Sequence, residues 1–276
     1  MQRVATNGVE IAVDITGDLH AADAAPPVLL LHGWPDTHRL WRHQIAALEA
    51  VGIATIAPDL RGAGESDKPL DVAGYRMGSL VADVAGLLDA LRVARVRLVG
   101  HDWGSALAWA FTAFLPHRVE RLAALSVGHP AAFAAAGIEQ RQRSWYMLLF
   151  QFEGIAEQWL SENDFARFRS WSSHPDIDDV CARLAEPSSL SASLNWYRAN
   201  VAPVSLLKPP PELPAIDCPV MGVWSTRDFA LTEQQMSASG DHVSGTWRYE
   251  RVEGSGHWMP VEVPDTINDL LLDFLG

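Results

Sequence analysis

Leu98-Val99-Gly100-His101-Asp102-Trp103-Gly104-Ser105 decides how this chain is read. An apolar run leads into Gly-x-Asp-x-Gly, and helix-forming residues follow. A strand that turns abruptly into a helix forces its corner residue into a strained conformation, so the residues two before and two after it must be small. Gly100 and Gly104 meet that demand around Asp102, whose side chain the corner lifts above the sheet, as in a nucleophile elbow. An Asp at such a corner also suits the cap of a helix beginning near Ser105. The remainder of the chain decides between these two roles.

Short apolar runs of β type occur at 10–15, 28–31, 53–57, 96–99, 122–127, 220–224 and 246–252. Most are continuous rather than alternating, the mark of strands buried on both faces. Helical patterns lie between them at 40–50, 79–91 and 105–115, and at 264–275 after the last strand. This alternation predicts an α/β fold with a mostly parallel central sheet flanked by helices. It breaks after His129-Pro130, and the pattern from 130 to 214 is helical, rich in Trp, Ala and Ser. We read it as a helical cap inserted into one core domain formed by 1–129 and 215–276. The cap's exit is the stiff, Pro-rich Lys208-Pro209-Pro210-Pro211-Glu212-Leu213-Pro214.

Asp228 ends Trp224-Ser225-Thr226-Arg227-Asp228, where a loop leaves the C-terminal end of a strand; open α/β sheets gather their functional groups at that edge. His257 lies past the last strand in Gly254-Ser255-Gly256-His257-Trp258, among glycines that leave the loop free to aim the imidazole. Asp102, Asp228 and His257 thus follow one another as nucleophile, acid and histidine, the chain order this kind of elbow takes. His32-Gly33-Trp34-Pro35 follows the run 28–31. A sharp turn there aims the Trp34 amide at the point served by the Trp103 amide, forming an oxyanion hole.

Composition narrows the partners. The 276 residues are 48% hydrophobic and 20% charged, with a formal net charge of −13, as in a soluble globular enzyme. That charge argues against nucleic acid and anionic membranes, which require clustered Lys and Arg. Cys181 and Cys218 are far apart in sequence and have no neighbours at metal-ligand spacing, so no disulfide framework or zinc site is expected, and the default location is a reducing cytoplasm. No signal peptide or membrane span is expected either.

His32–Pro35 (HGWP), Asp59–Asp67 (DLRGAGESD), Gly100–Ser105 (GHDWGS), Leu194–Arg198 (LNWYR) and Gly254–Trp258 (GSGHW) resemble the epoxide hydrolases of the α/β-hydrolase fold over nearly the whole chain. GHDWGS with HGxP belongs to the Asp-nucleophile branch shared with dehalogenases, whereas NWYR in the cap is particular to epoxide hydrolases. The resemblance implies a cofactor-independent, metal-free hydrolase acting on a small apolar epoxide and water, as a monomer or homodimer. Asp102 would form an alkyl ester, which water activated by His257 with Asp228 would cleave. A carboxylate suits this chemistry because its ester keeps an acyl carbon for water to attack, whereas a serine would leave an inert ether.

Ring opening also needs an acid on the epoxide oxygen. The resemblance implies two cap tyrosines. Tyr197 matches one, but Leu149 stands where the second is expected, and Tyr146, one helical turn earlier, can reach the same face. Trp34, Trp103, Leu149 and Trp258 are the expected substrate contacts. The competing readings are a haloalkane or haloacid dehalogenase using the same triad, a non-catalytic binding homologue, and a serine esterase. Dehalogenases usually carry Asn in place of Trp34 or Arg in place of Trp103, and Ser105 lies a turn beyond the elbow apex.

Overall fold

Among the described residues eight strands form one sheet: β1 (Gln2–Thr6), β2 (Val9–Thr16), β3 (Val28–Leu31), β4 (Thr55–Pro58), β5 (Val96–His101), β6 (Val119–Leu125), β7 (Val220–Ser225) and β8 (Trp247–Val252). Their order across the sheet is β1-β2-β4-β3-β5-β6-β7-β8 in a computed structural model that describes residues 1–21, 25–207, 209 and 212–276. All pairs from β4 to β8 are parallel, and β1 and β2 add an antiparallel margin. The seven anticipated strands are present with ends shifted by up to a few residues. β1 was not anticipated, because its residues are mostly exposed and polar. Asn7-Gly8, both at positive φ, closes it onto β2 as a tight hairpin.

The middle strands β3, β4 and β5 are buried along their full length, because helices cover both faces of the sheet. α2 (Met77–Ala90) and α3 (Trp103–Phe114) pack one face through Leu80, Val84, Leu87 and Leu107. α1 (Arg42–Ala50) and α12 (Pro264–Leu275) pack the other through Ile45, Leu48, Ile267, Leu271 and Phe274. The helix after the elbow starts at Trp103 rather than near Ser105, with Asp102 at the N-cap position. The Asp102 side chain makes no capping hydrogen bond there, which removes the purely structural role for this residue.

Between β6 and β7 lie α4 (Pro130–Ala135), α5 (Gly137–Arg143), α6 (Trp145–Leu149), α7 (Ile155–Ser172), α8 (Ile177–Leu184) and α9 (Ser189–Asn200). α7 is broken at 162–165, where Asn163, Asp164 and Phe165 carry positive φ. In α9 the Trp196 indole donates to the Arg61 carbonyl (2.9 Å), and the Asn200 amide oxygen accepts from the Met77 N–H (2.8 Å), fastening the helix to the core. Lys208, Pro210 and Pro211 of the Pro-rich exit lie outside the described residues. Two short helices, α10 (Glu233–Ser237) and α11 (Met259–Glu262), complete the fold after β7 and β8. No helix among the described residues is long and apolar enough to cross a membrane.

Candidate active site

Asp102 sits at φ 53° and ψ −122°, a strained conformation for a residue with a side chain, and is buried. The glycines around it are sterically required. A Cβ on Gly100 would strike the Gly104 backbone, one on Gly104 the carbonyl oxygens of Leu31 and His32, and one on Gly33 the Asp102 side chain itself. The β3 turn and the elbow therefore interlock. In that arrangement the Trp34 amide donates to Asp102 Oδ1 at 2.8 Å. Burial pushes the Asp102 pKa up to about 6, although the charge of His257 and the amides of Trp103 and Trp34 favour the carboxylate.

The other carboxylate oxygen, Asp102 Oδ2, lies 3.7 Å from His257 Nε2. On the far side of the ring, His257 Nδ1 is 3.0 Å from Asp228 Oδ2. Asp228 is anchored in turn by the amides of Ala230 (2.9 Å) and Leu231 (3.0 Å) on Oδ1 and by the Ser126 hydroxyl (2.7 Å) on Oδ2. Burial would protonate it, but His257 and these donors outweigh burial and hold its pKa below the usual carboxylate value. For His257, burial acts to lower the pKa, and the Asp228 charge and hydrogen bond, with Asp102 and Asp36, raise it to about 9. At neutral pH an ionised carboxylate, an imidazolium and a second ionised carboxylate thus lie next to one another.

Aromatic rings enclose this line. Tyr197, from α9, packs edge-on against Trp34 (5.8 Å between centroids), Trp103 (5.1 Å) and Phe150 (4.9 Å). Tyr146, from α6, faces Tyr197 at 6.0 Å and packs against Trp171 at 4.9 Å. Burial raises both phenol pKa values well above 10, and the Asp102 charge adds to each. The residue one turn before Leu149 is therefore buried beside Tyr197, whereas Leu149 is only partly buried at the margin of the core. Arg198 fixes the spacing of the two tyrosines: its Nε donates to the Phe150 carbonyl (3.0 Å) beyond α6, and its guanidinium pairs with Glu157 (2.8 Å).

Trp258 is buried and anchored beside the imidazole. Its indole donates to Asp36 Oδ2 (3.1 Å), and its ring lies edge-on to His257 at 5.0 Å. Asp36 Oδ1 also accepts from His174 Nε2 (3.1 Å), both residues being buried, so one core carboxylate ties together the histidine loop and the α7–α8 connection. Neither Asp36 nor His174 stood out in the sequence, and Ser126 did not either; isolated Asp, His and Ser in loops carry no motif. Ser105 donates to the Val127 carbonyl, facing away from the elbow apex, which leaves it no role as a nucleophile.

A crevice open to solvent runs between the loops 32–37 and 60–65 on one side and α8 and α9 on the other. Trp34 and Trp103 line it, while Asp102, His257, Tyr146 and Tyr197 do not. The two tryptophans therefore stand as a wall between the crevice and the tyrosine pair. The Trp34 indole is pinned in that wall by a 3.1 Å hydrogen bond to the Ser193 hydroxyl.

Comparison with known proteins gives the family and the fold. The family model of the α/β hydrolase fold matches residues 26–264. Epoxide hydrolase A of Mycobacterium tuberculosis is 32% identical over 99% of this chain and 96% of its own length. An AB hydrolase superfamily protein of Bacillus subtilis is 31% identical over 99% of this chain and 97% of its own. Among solved structures, an epoxide hydrolase from hot-environment metagenomes superposes with a TM-score of 0.88 at 30% identity, covering 100% of this chain and 98% of that one. The Bacillus megaterium epoxide hydrolase in complex with an inhibitor gives 0.88 at 26% identity, covering 99% of both chains.

Proposed function

The chain belongs to the α/β-hydrolase family, and from that premise we propose that it opens epoxides to vicinal diols through an ester on Asp102. The observation that carries this reading is that two buried phenols, Tyr146 and Tyr197, lie edge to face beside the Asp102–His257–Asp228 line. A phenol that stays protonated at neutral pH suits a developing alkoxide, which needs a proton.

In the proposed first step Asp102 Oδ2 attacks one ring carbon and the carbon–oxygen bond of the epoxide breaks. The ring oxygen takes a proton from a tyrosine, leaving a hydroxyalkyl ester and a tyrosinate. Oδ1, already bound by the Trp34 amide, becomes the carbonyl oxygen. In the second step water adds to Asp102 Cγ while His257 Nε2 takes its proton, and Oδ1 carries the negative charge toward the Trp34 and Trp103 amides. Collapse breaks the Cγ–O bond to the alkyl group, and the departing alkoxide takes a proton from the imidazolium. Asp102 is left as the carboxylic acid, with one oxygen exchanged for that of water, and it releases its proton to solvent to become the carboxylate again. A proton returned from solvent restores the tyrosine.

The helical segment 130–214 acts in this proposal as a cap on the core formed by 1–129 and 215–276, carrying both acids over the nucleophile. Trp34, Trp103, Leu149 and Trp258 remain its proposed contacts to an apolar epoxide. Both cysteines are free and buried, which suits the cytoplasm as the proposed location.

The test is a panel of styrene-type, terminal and internal epoxides beside halogenated alkanes and acids, scored for diol and for halide, with Asp102→Ala as the blank. Diol formation that disappears in Asp102→Ala is the expected result. Halide release without diol would replace the epoxide reading with a dehalogenase, and turnover of neither would leave a pocket that binds without reacting.

A further inference from the structure

Ser126 directly follows β6 at φ 69°, a left-handed conformation that glycine adopts freely and a residue with a Cβ does not. Its backbone is clamped on both sides: its N–H donates to the Val223 carbonyl (2.9 Å), and its carbonyl accepts from the Gln235 side chain (2.9 Å). It is wholly buried. The hydroxyl is therefore delivered to one fixed point, at a backbone cost that glycine would not incur. That point lies between the two partners of the imidazole, 2.7 Å from Asp228 Oδ2 and 3.0 Å from His257 Nδ1.

We propose that Ser126 is a positioning residue for the water-dependent second step, holding the His257 ring at the angle from which Nε2 reaches the attacking water. The inference rests on the proposed ester mechanism. With its O–H given to Asp228, the Ser126 oxygen has a lone pair left for the Nδ1–H of His257, which is shared between Oδ2 and Oγ at equal distances of 3.0 Å. One acceptor leaves an imidazole free to swing about its hydrogen bond; two acceptors on one N–H define the direction in which the opposite nitrogen points. The same pair keeps the proton on Nδ1, and so keeps Nε2 free to act as a base. Attack on the epoxide by Asp102 uses no base, so this constraint bears on ester hydrolysis alone.

The experiment is single-turnover reaction with styrene oxide, quenched and read by intact-protein mass, in wild type, Ser126→Gly, Ser126→Asn and His257→Gln. Ser126→Gly removes the hydroxyl and also the backbone strain, so its fold is not at risk from φ. The expected result is an unchanged rate of ester formation with hydrolysis slowed about ten- to a hundredfold, so that the adduct accumulates. Ser126→Asn, whose residue type tolerates this φ and offers both a donor and an acceptor, is expected to recover most of the hydrolysis rate. Equal slowing of both steps, or of neither, in Ser126→Gly overturns the proposal and leaves Ser126 a filler of the Asp228 hydrogen-bonding shell. Absence of any adduct even in His257→Gln overturns the ester mechanism as well, which distinguishes the two failures.

Discussion

Tyr146 and Tyr197 lie on separate helices, α6 and α9, with ring centroids 6.0 Å apart and planes 78° to one another. Neither ring is free to drift. Tyr197 is fixed by Trp34, Trp103 and Phe150, and Tyr146 by Trp171 and Phe150. The motif around Tyr197 explains how the pair is kept in register, because Arg198, its neighbour, grips the end of the Tyr146 helix through the Phe150 carbonyl and the first turn of α7 through Glu157. Two rings from distant parts of the chain thus lie beside one another.

If both phenols serve the epoxide oxygen, Tyr197→Phe and Tyr146→Phe each lower the rate of ester formation by about tenfold or more, and the double variant approaches the full contribution of a general acid, on the order of 10² to 10⁴. Rapid-quench measurement of the ester separates these losses from hydrolysis. A Tyr146→Phe variant that forms ester at the wild-type rate would assign the acid to Tyr197 alone.

The two steps should depend on pH in different ways. Asp102 must be ionised to attack, so ester formation rises with pH through about 6, and it persists into alkaline solution because both phenols are held well above 10. Hydrolysis requires neutral His257. Its pKa of about 9 includes a contribution from the Asp102 charge, which esterification removes, so the hydrolysis limb is expected below 9. Single-turnover profiles of each step check this, and coincident limbs would contradict it.

Gly104→Ala and Gly33→Ala are expected to fail for distinct reasons. The first drives a methyl into the Leu31 and His32 carbonyl oxygens beneath the elbow, and loss of folded protein is the predicted outcome. The second drives a methyl into the Asp102 side chain and should abolish diol formation. Gly8→Ala, at φ 77° but with open space around it, should cost only about 1 to 2 kcal/mol. Thermal unfolding of the three, with activity of any that fold, tests the ranking.

Asp36 is a carboxylate on which stability should depend. Burial raises its pKa, but the charge and hydrogen bond of His174 outweigh burial and bring it down to about 2 from 3.8. A depressed folded-state value stabilises the protein above the unfolded pKa and is lost as pH falls from about 4 to about 2, a contribution on the order of 2 kcal/mol. Asp36→Ala strands the donors of both His174 and Trp258, at about 1 to 3 kcal/mol for each unpaired group. Denaturant midpoints at pH 7 and pH 3 should show the variant's deficit shrinking in acid.

Much of this was legible because it rests on local rules. The continuous apolar runs placed β3 at 28–31, and the paired glycines identified Asp102 as a corner residue before any coordinates. Asp228 and His257 followed from strand ends. What escaped was set by tertiary proximity. β1 is an exposed, polar edge strand held by pairing with β2, so its sequence lacks a buried stripe. Ser126, Asp36 and His174 matter through partners distant in the chain: Ser126 through Asp228, and Asp36 through His174 and Trp258.

The insertion between β6 and β7 also has a bearing on how the molecule is born. A chain emerging from the ribosome presents β1 through β6, with the elbow, before the helices of 130–214 and the last two strands exist. At roughly 5 to 20 residues per second, synthesis separates Ser126 from β7 by roughly 5 to 20 seconds. Throughout that interval the nascent chain carries the Asp102 corner without Asp228 or His257, and β6 lacks the neighbour it pairs with from Leu122 to Leu125. An open strand edge beside an unfinished apolar layer is prone to wrong pairing, so this interval is the stage of synthesis at which β6 is most exposed to a wrong partner.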